Sequence, residues 1–536
     1  MAGHGGVRRF ALGAGMLAAV PLAGQAPVPR PVPPAGAKPS PPVQLPALPE
    51  RIEAIAVARI REEAAVRSRV LETARYLSDV TGPRLTGSPG LRVAQAYVRD
   101  RLKEWGLATT RFEPWGPFGR GWALEGFSLS LTAPSFAPLI GYPKAWSPGT
   151  PGPLRGEPVL FDPRNAADLE RFKGKLKGRI VLFAPPRPVR PLAAGQRLSD
   201  SDLLRLANAG PAAPAGPAAE GKGRALDDLK WRMLYGEGPH VVLEPGAGEN
   251  GLVAVGAAMV LPVPGQPAAR TTHPWDLNKP PVLPQVVVAA EHYNRLARLA
   301  GTGVPLKLDL QVNVRFIDEE PNSANVVAEI PGGDLKDEFV LLGASLDSWH
   351  AGTGAGDSAA ATAVAMEAMR ILVATGLRPR RSIRLVLWSG GEQGGLGAQA
   401  YTLAHFGKRG SLGPEHPRLA ACFNLDGGPG RIRGLFLQGN EAVRPVFRAW
   451  LAPFSDLGAT TLGGGSGPDP GPIDGLGLPA FQFLRDGMDS GLGPSNMDLL
   501  ERLQEDDLRQ SATLAAAFAY FAATRDQKLP RKAPGN

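Results

Sequence analysis

From residue 338 onward, apolar runs of strand length alternate with longer runs of helical period, and this alternation restricts the fold more than any other feature of the chain. Glu338-Phe339-Val340-Leu341-Leu342, Ser382-Ile383-Arg384-Leu385-Val386-Leu387-Trp388, Leu419-Ala420-Ala421-Cys422-Phe423-Asn424 and residues 479–484 read as strands. Residues 358–375, 395–405, 441–453 and 505–523 read as the helices between and after them. Such alternation predicts an α/β fold: a doubly wound, mostly parallel sheet covered on both faces. Sheets of this kind place their chemistry beyond the C-terminal ends of the strands.

The rest of the chain reads differently. Arg8-Arg9, an apolar stretch from Phe10 to about Leu22, and the small residues Ala23-Gly24-Gln25-Ala26 predict an export signal over 1–26, with a weak hint of a twin-arginine route. The apolar stretch is too short for a membrane span. A proline-rich linker follows over 27–49. Ile52, Ile55, Ala56 and Ile60 recur at helical spacing, and a second amphipathic stretch runs to Trp105, so 50–119 reads as the helical first part of the main body.

Residues 120–315 change to short β-type runs, among them 179–184, 241–243, 253–255 and 285–289, separated by Pro/Gly/Ala loops. This predicts an inserted β-rich domain, with 185–222 as a long structureless connection. The body resumes over 316–525, and 526–536 is a tail. The 536 residues carry a formal charge of +9 as scattered arginines without a basic run, which argues against a nucleic-acid partner. Cys422 is the sole cysteine, so no intrachain disulfide holds the fold.

Three carboxylates stand where strands turn into loops or helices: Asp357, Glu392 and Asp426. Each could serve singly as a cap or a turn residue. Their common placement at strand ends beside glycines makes them a candidate site.

Several long motifs then carry a resemblance. They are Asp347-Ser348-Trp349-His350-Ala351-Gly352-Thr353-Gly354-Ala355-Gly356-Asp357, Leu387-Trp388-Ser389-Gly390, Asn424-Leu425-Asp426, Ser495-Asn496-Met497-Asp498 and Lys528-Leu529-Pro530-Arg531. In this order they resemble the co-catalytic zinc exopeptidases of peptidase family M28, in the carboxypeptidase Q-like secreted bacterial branch. The inserted region is similar to that branch's protease-associated domain. The resemblance implies a secreted or periplasmic exopeptidase acting on peptides, with no stable membrane insertion. It assigns Asp357 as the ligand bridging two zinc ions, Glu392 as the glutamate ligand, Asp426 as the aspartate partner of the first ion, and Asp347 as support for a metal-binding histidine. It also places Asp469 in the substrate cleft.

The chain departs from that pattern where the chemistry is most demanding. The two histidine ligands are replaced by Ser345 and Pro494, the general-base glutamate by Gly391, and the cleft histidine after Asp469 by Pro470. A positioned general base contributes on the order of 10²–10⁴-fold, and glycine has nothing to accept a proton. The remaining all-oxygen set suits magnesium, calcium or manganese better than zinc. Zinc is therefore expected to be held weakly or not at all, a hard divalent cation being the better fit, and the carboxylates to share protons if no cation is present.

His350 is the nearest substitute imidazole in sequence. The serines around the cleft lack the strained nucleophile elbow and oriented histidine of a serine hydrolase. The sequence thus reads as a catalytically impaired exopeptidase homologue binding peptides or a protein partner. Two further readings stand beside it: an active metallo-exopeptidase with a reduced metal site, and an interaction protein acting through its protease-associated region.

Overall fold

The computed structural model describes residues 50–107, 109–189, 198–208, 222–261, 272–426, 428–464, 471–487 and 493–532. The export signal and linker expected over 1–49 lie outside these residues, as does Asp469. Valine, isoleucine and leucine run without polar alternation through Phe339–Ser345 and Ser382–Trp388, the pattern of strands covered on both faces. The two strands pair in parallel, with Gly343 opposite Val386. They sit inside an eight-stranded sheet ordered Thr109–Trp115, Ser323–Ile330, Ser382–Trp388, Phe339–Ser345, Leu419–Leu425, Ala480–Arg485, Ile432–Phe436 and Thr461–Gly463. Its four central strands are mutually parallel, and antiparallel pairings flank them. The doubly wound α/β expectation is met.

One face is covered by Ala360–Ala374 and Glu505–Thr524, together with Ala54–Val66, Val70–Arg75 and Pro89–Glu104. Alanine favours helix intrinsically, and Ala360–Ala374 is buried almost all round, as a core helix must be. Glu505, Asp506 and Asp507 complement the positive end of the last helix. Pro89–Glu104 begins on Ser88, whose side chain accepts from the Leu91 N–H at 3.2 Å. Three charged side chains lie in this apolar layer: Arg370 donates to Glu367 at 2.8 Å and to Glu63 at 2.7 Å, tying Ala360–Ala374 to Ala54–Val66. Tyr401, Phe406, Ile473 and Leu478 cover the opposite face.

The region between the first two strands of the body forms two more sheets. Gly121–Ala133 pairs antiparallel with Lys307–Ile317, so the chain enters and leaves this region on one long ladder, with register shifts between Lys307 and Leu308 and between Asn313 and Val314. The second sheet has the order Gly141–Pro143, Gln285–Val288, Val241–Pro245, Ile180–Leu182 and Pro158–Leu160. Both sheets bury Leu129, Leu131, Leu243, Val286 and Leu310 in one apolar cluster.

Some expectations need correction. Residues 253–255 form no strand, only an isolated bridge from Ala254 to Ser495 of the body. The connection 185–222 is not structureless where it is described: Asp200–Asn208 is helical, buries Leu203, and packs against the edge strand Thr461–Gly463. The helix expected over 441–453 is α-helical only over Arg444–Leu451, with tighter turns on each side. Strand Ile432–Phe436 contains Gly434 at φ 155°, where a Cβ would stand 1.6 Å from the Thr461 carbonyl oxygen. Only glycine permits that approach between two strands. Among the described residues no helix is long and apolar enough to cross a membrane.

Candidate active site

The C-terminal ends of the central strands open into a cavity of about 620 Å³. Ser345, Asp357, Gly391, Glu392 and Asp426 all line it, so the fold gathers five of the positions singled out in the sequence. Pro494 does not line it, and sits after a cis Gly493–Pro494 bond in a loop that leans on the inserted region. There Asn496 N–H donates to Val253 O at 3.0 Å, and the Asn496 side chain accepts from Val253 N–H at 2.8 Å.

Asp347 is fully buried and has work other than steadying a metal ligand. Its carboxylate accepts from the Gly391 N–H at 2.9 Å, the Glu392 N–H at 3.0 Å and the Thr86 hydroxyl at 3.1 Å. It therefore clamps the turn after Ser382–Trp388. Burial raises its pKa, and these three hydrogen bonds oppose the rise.

Asp357 follows two further clamps: Asp498 accepts from the Gly356 N–H and, at 3.1 Å, from the Asp357 N–H. Glu392 carries the electrostatic burden of the cluster. Burial first, then Asp357, Asp347 and Asp426, push its pKa well above the usual carboxylate range, with Arg84 opposing.

Arg84 is a residue that sequence reading passed over. It is wholly buried, and its guanidinium donates to the carbonyls of Leu77, Gly82, Leu346, Thr353 and Gly354, stitching the first helical segment to the loop that carries Asp357. Burial lowers it to about 10, and Asp498, Asp347, Asp357 and Glu392 pull it back upward. No signal short of the fold marks this arginine out from the chain's many others.

Gly391 decides what the site can do. A Cβ at this position would stand 2.8 Å from Ser345 Oγ and 3.2 Å from Asp347 Oδ1, so the two altered positions pack on one another. His350 offers no rescue. It is buried, its Nε2 lies 2.8 Å from the Pro143 carbonyl oxygen, its ring meets Trp122 edge-on, and it does not line the cavity. Burial drives its pKa down to about 4. Cys422 does reach the cavity, but burial pushes its thiol up to about 12, far from a reactive thiolate.

The fold and site define a class. Residues 325–518, a little over a third of the chain, match the model of peptidase family M28. The chain is 25% identical to carboxypeptidase Q of Homo sapiens over 472 residues, covering 87% of each. It is 28% identical to carboxypeptidase Q of Mus musculus over 254 residues, 47% of this chain and about half, 52%, of that protein. Among solved structures, a peptidase M28 precursor from Shewanella amazonensis superposes with a TM-score of 0.62 at 22% identity, covering 89% of this chain and 98% of that one. A zinc aminopeptidase from Bacillus subtilis gives 0.51 at 17%, over 85% and 95%. These two likenesses establish the fold.

Zinc, which the family relationship brings with it, does not fit the residues present. Imidazole and thiolate donors are what set zinc apart from harder cations, and among the described residues no histidine lines the cavity. Among the described residues no three His, Cys, Asp or Glu side chains meet in a metal-holding group.

Proposed function

We propose that this chain is an exported M28-fold protein that binds peptides in the cavity at its strand ends without hydrolysing them. The observation supporting this reading is the packing at position 391: the residue that would take a proton from an attacking water is a glycine seated against Ser345. Without a base at 391, and without imidazoles to hold zinc, the cavity lacks the means by which a zinc exopeptidase ionises water at neutral pH. Binding needs less. A cavity of about 620 Å³ has the volume of a site for a small molecule or short peptide, and its rim of backbone turns is fixed by Asp347 and Asp498.

On this reading the region 120–315 is the protease-associated insertion of the family's secreted branch, and the first 26 residues direct export. The test is metal content and turnover of the purified full chain. The reading expects no tightly bound zinc and no chelator-sensitive release of amino acids from dipeptides or aminoacyl substrates. Two zinc ions per chain together with chelator-sensitive turnover would overturn it.

A further inference from the structure

The cavity is not confined to the strand ends. Cys422, Asn424 and Asp426 line it, and because alternate residues of a strand face the same way, they form one row down a single face of Leu419–Leu425 and the residue after it. From Asp426 to Cys422 that row covers about 13 Å. Ala480 stands opposite Cys422 on the neighbouring strand and also lines the cavity, so two strands mark its lower end. Helix Leu396–His405 contributes Ala398 to the walls, and the turn Gly471–Asp474 contributes Ile473.

The chemistry changes along this depth. Asp357, Glu392 and Asp426 stand at the strand ends, whereas Cys422, Ala480 and Ile473 belong to the apolar cluster on this face of the sheet, with Ala398 packed against it. The space exists because the floor residues are small: that cluster elsewhere holds Phe339, Tyr401 and Phe406, while the floor is a cysteine and an alanine. Gly343, opposite Asn424 in the next strand, adds to it. A Cβ there would stand 2.7 Å from Trp388 Nε1 and 3.0 Å from Asn424 Oδ1, so its absence lets both side chains lie low on the sheet. Burial holds the Cys422 thiol up at about 12, so it too is uncharged at neutral pH.

Apolar atoms gain by leaving water, and a cavity that is acidic at the mouth and apolar below selects ligands with the matching order of groups. We propose that the lower end of the cavity receives an apolar side chain of leucine size from a peptide ligand, whose backbone N–H groups stay at the mouth beside the three carboxylates. The proposal deepens the peptide-binding reading and rests on it for the kind of ligand.

Two measurements on the full chain test it. In calorimetry, the better of Leu-Gly and Gly-Leu is expected to bind about tenfold to a hundredfold more tightly than Gly-Gly, the discrimination an apolar pocket gives an aliphatic group. Equal binding of the three would overturn the pocket and leave peptide binding standing. Hydrolysis of the dipeptides alongside a leucine preference would overturn the function proposed above and leave the pocket standing, and no binding of any dipeptide would overturn both. The second measurement needs no peptide. Cys422 is the chain's sole cysteine, so methanethiosulfonate reagents report on the lower end alone. Relative to their rates with free cysteine, the butyl reagent is expected to label Cys422 about tenfold or more faster than the trimethylammonium-ethyl reagent, although the carboxylates at the mouth attract the cation. Labelling in the ratio of free cysteine, or by neither reagent, would overturn the apolar floor. Ala480→Leu, which fills the lower end, is expected to slow butyl labelling and abolish the leucine preference together, and a preference that survives it would overturn the placement. If that variant fails to fold, the labelling ratio on the unaltered chain still decides.

Discussion

His405 offers a test of the electrostatics on the face of the sheet that carries Leu396–His405. Its Nε2 lies 2.6 Å from Glu113 Oε1 and its Nδ1 3.0 Å from Glu415 Oε2, while its ring stacks on Tyr401 with centroids 4.0 Å apart. Arg384 completes the network, donating to Glu415 at 2.7 Å, Glu329 at 2.9 Å and the Tyr401 hydroxyl at 2.9 Å. An imidazole held between two carboxylates must donate from both nitrogens, and so must be charged. Burial works against that charge, but the hydrogen bonds to Glu113 and Glu415 outweigh it and carry His405 from 6.5 up to about 9.

A folded-state pKa raised above the unfolded value gives stability that is complete below about pH 6.5 and is lost as pH rises through about 9. The full displacement corresponds to a ceiling of about 3 kcal/mol. The ring is 20% exposed and partly screened by solvent, which reduces the expected contribution to about 1–2 kcal/mol. Glu415 is moved down to about 2 by His405 and Arg384 against the opposing effect of burial. Its displacement shares the His405 pair, so the two are not added; it governs a separate loss of stability as pH falls from about 4.5 towards 2. Urea unfolding at constant ionic strength, between pH 6 and pH 9.5, should show the native chain losing that 1–2 kcal/mol relative to His405→Gln. Parallel pH profiles for the two proteins would refute the charged bridge.

Other substitutions probe the frame and the centre. Gly434→Ala should cost about 3 kcal/mol or more, since its Cβ would collide with the Thr461 carbonyl; a fall in the urea midpoint of less than a third of that would contradict the close approach. Arg370→Met should cost about 3–5 kcal/mol, chiefly by stranding Glu367, because Glu63 keeps Arg67 as a partner; thermal unfolding of the variant beside Glu367→Gln measures it. Gly391→Glu alone should destabilise by about 1–3 kcal/mol as it displaces Ser345, and should bring no zinc. The double change Ser345→His, Gly391→Glu, both at cavity-lining positions, should bind more zinc than Gly391→Glu alone by elemental analysis. Equal metal uptake by the single and double variants would count against the ligand assignment.

The central strands and the two long core helices were legible because each carries one sustained signal: apolar residues through Phe339–Ser345 up to its last position, alanine-rich helical character through Ala360–Ala374. Ile432–Phe436 was not, since Arg433 and Gly434 break its apolar run and its position depends on a contact with Thr461 far along the chain. The site divides in the same way. Asp357, Glu392 and Asp426 could be picked out by their places at strand ends, and the structure brings them to one cavity. Arg84 and Thr86 could not, because their importance lies in burial and in partners more than 260 residues away, Leu346 and Asp347. Asp347 was read for a role beside a metal ligand, while the bonds that occupy it run to the backbone of Gly391 and Glu392.

The helix Asp200–Asn208, resting on Thr461–Gly463, bears on how these molecules behave in a crowd. Thr461–Gly463 is the outermost strand of the large sheet, and an outermost strand is a template on which an unrelated polypeptide can add itself. By keeping a piece of its own insertion there, the chain denies strangers that docking line. Loss of that helix would bare the outermost strand while leaving the lining of the ligand cavity untouched.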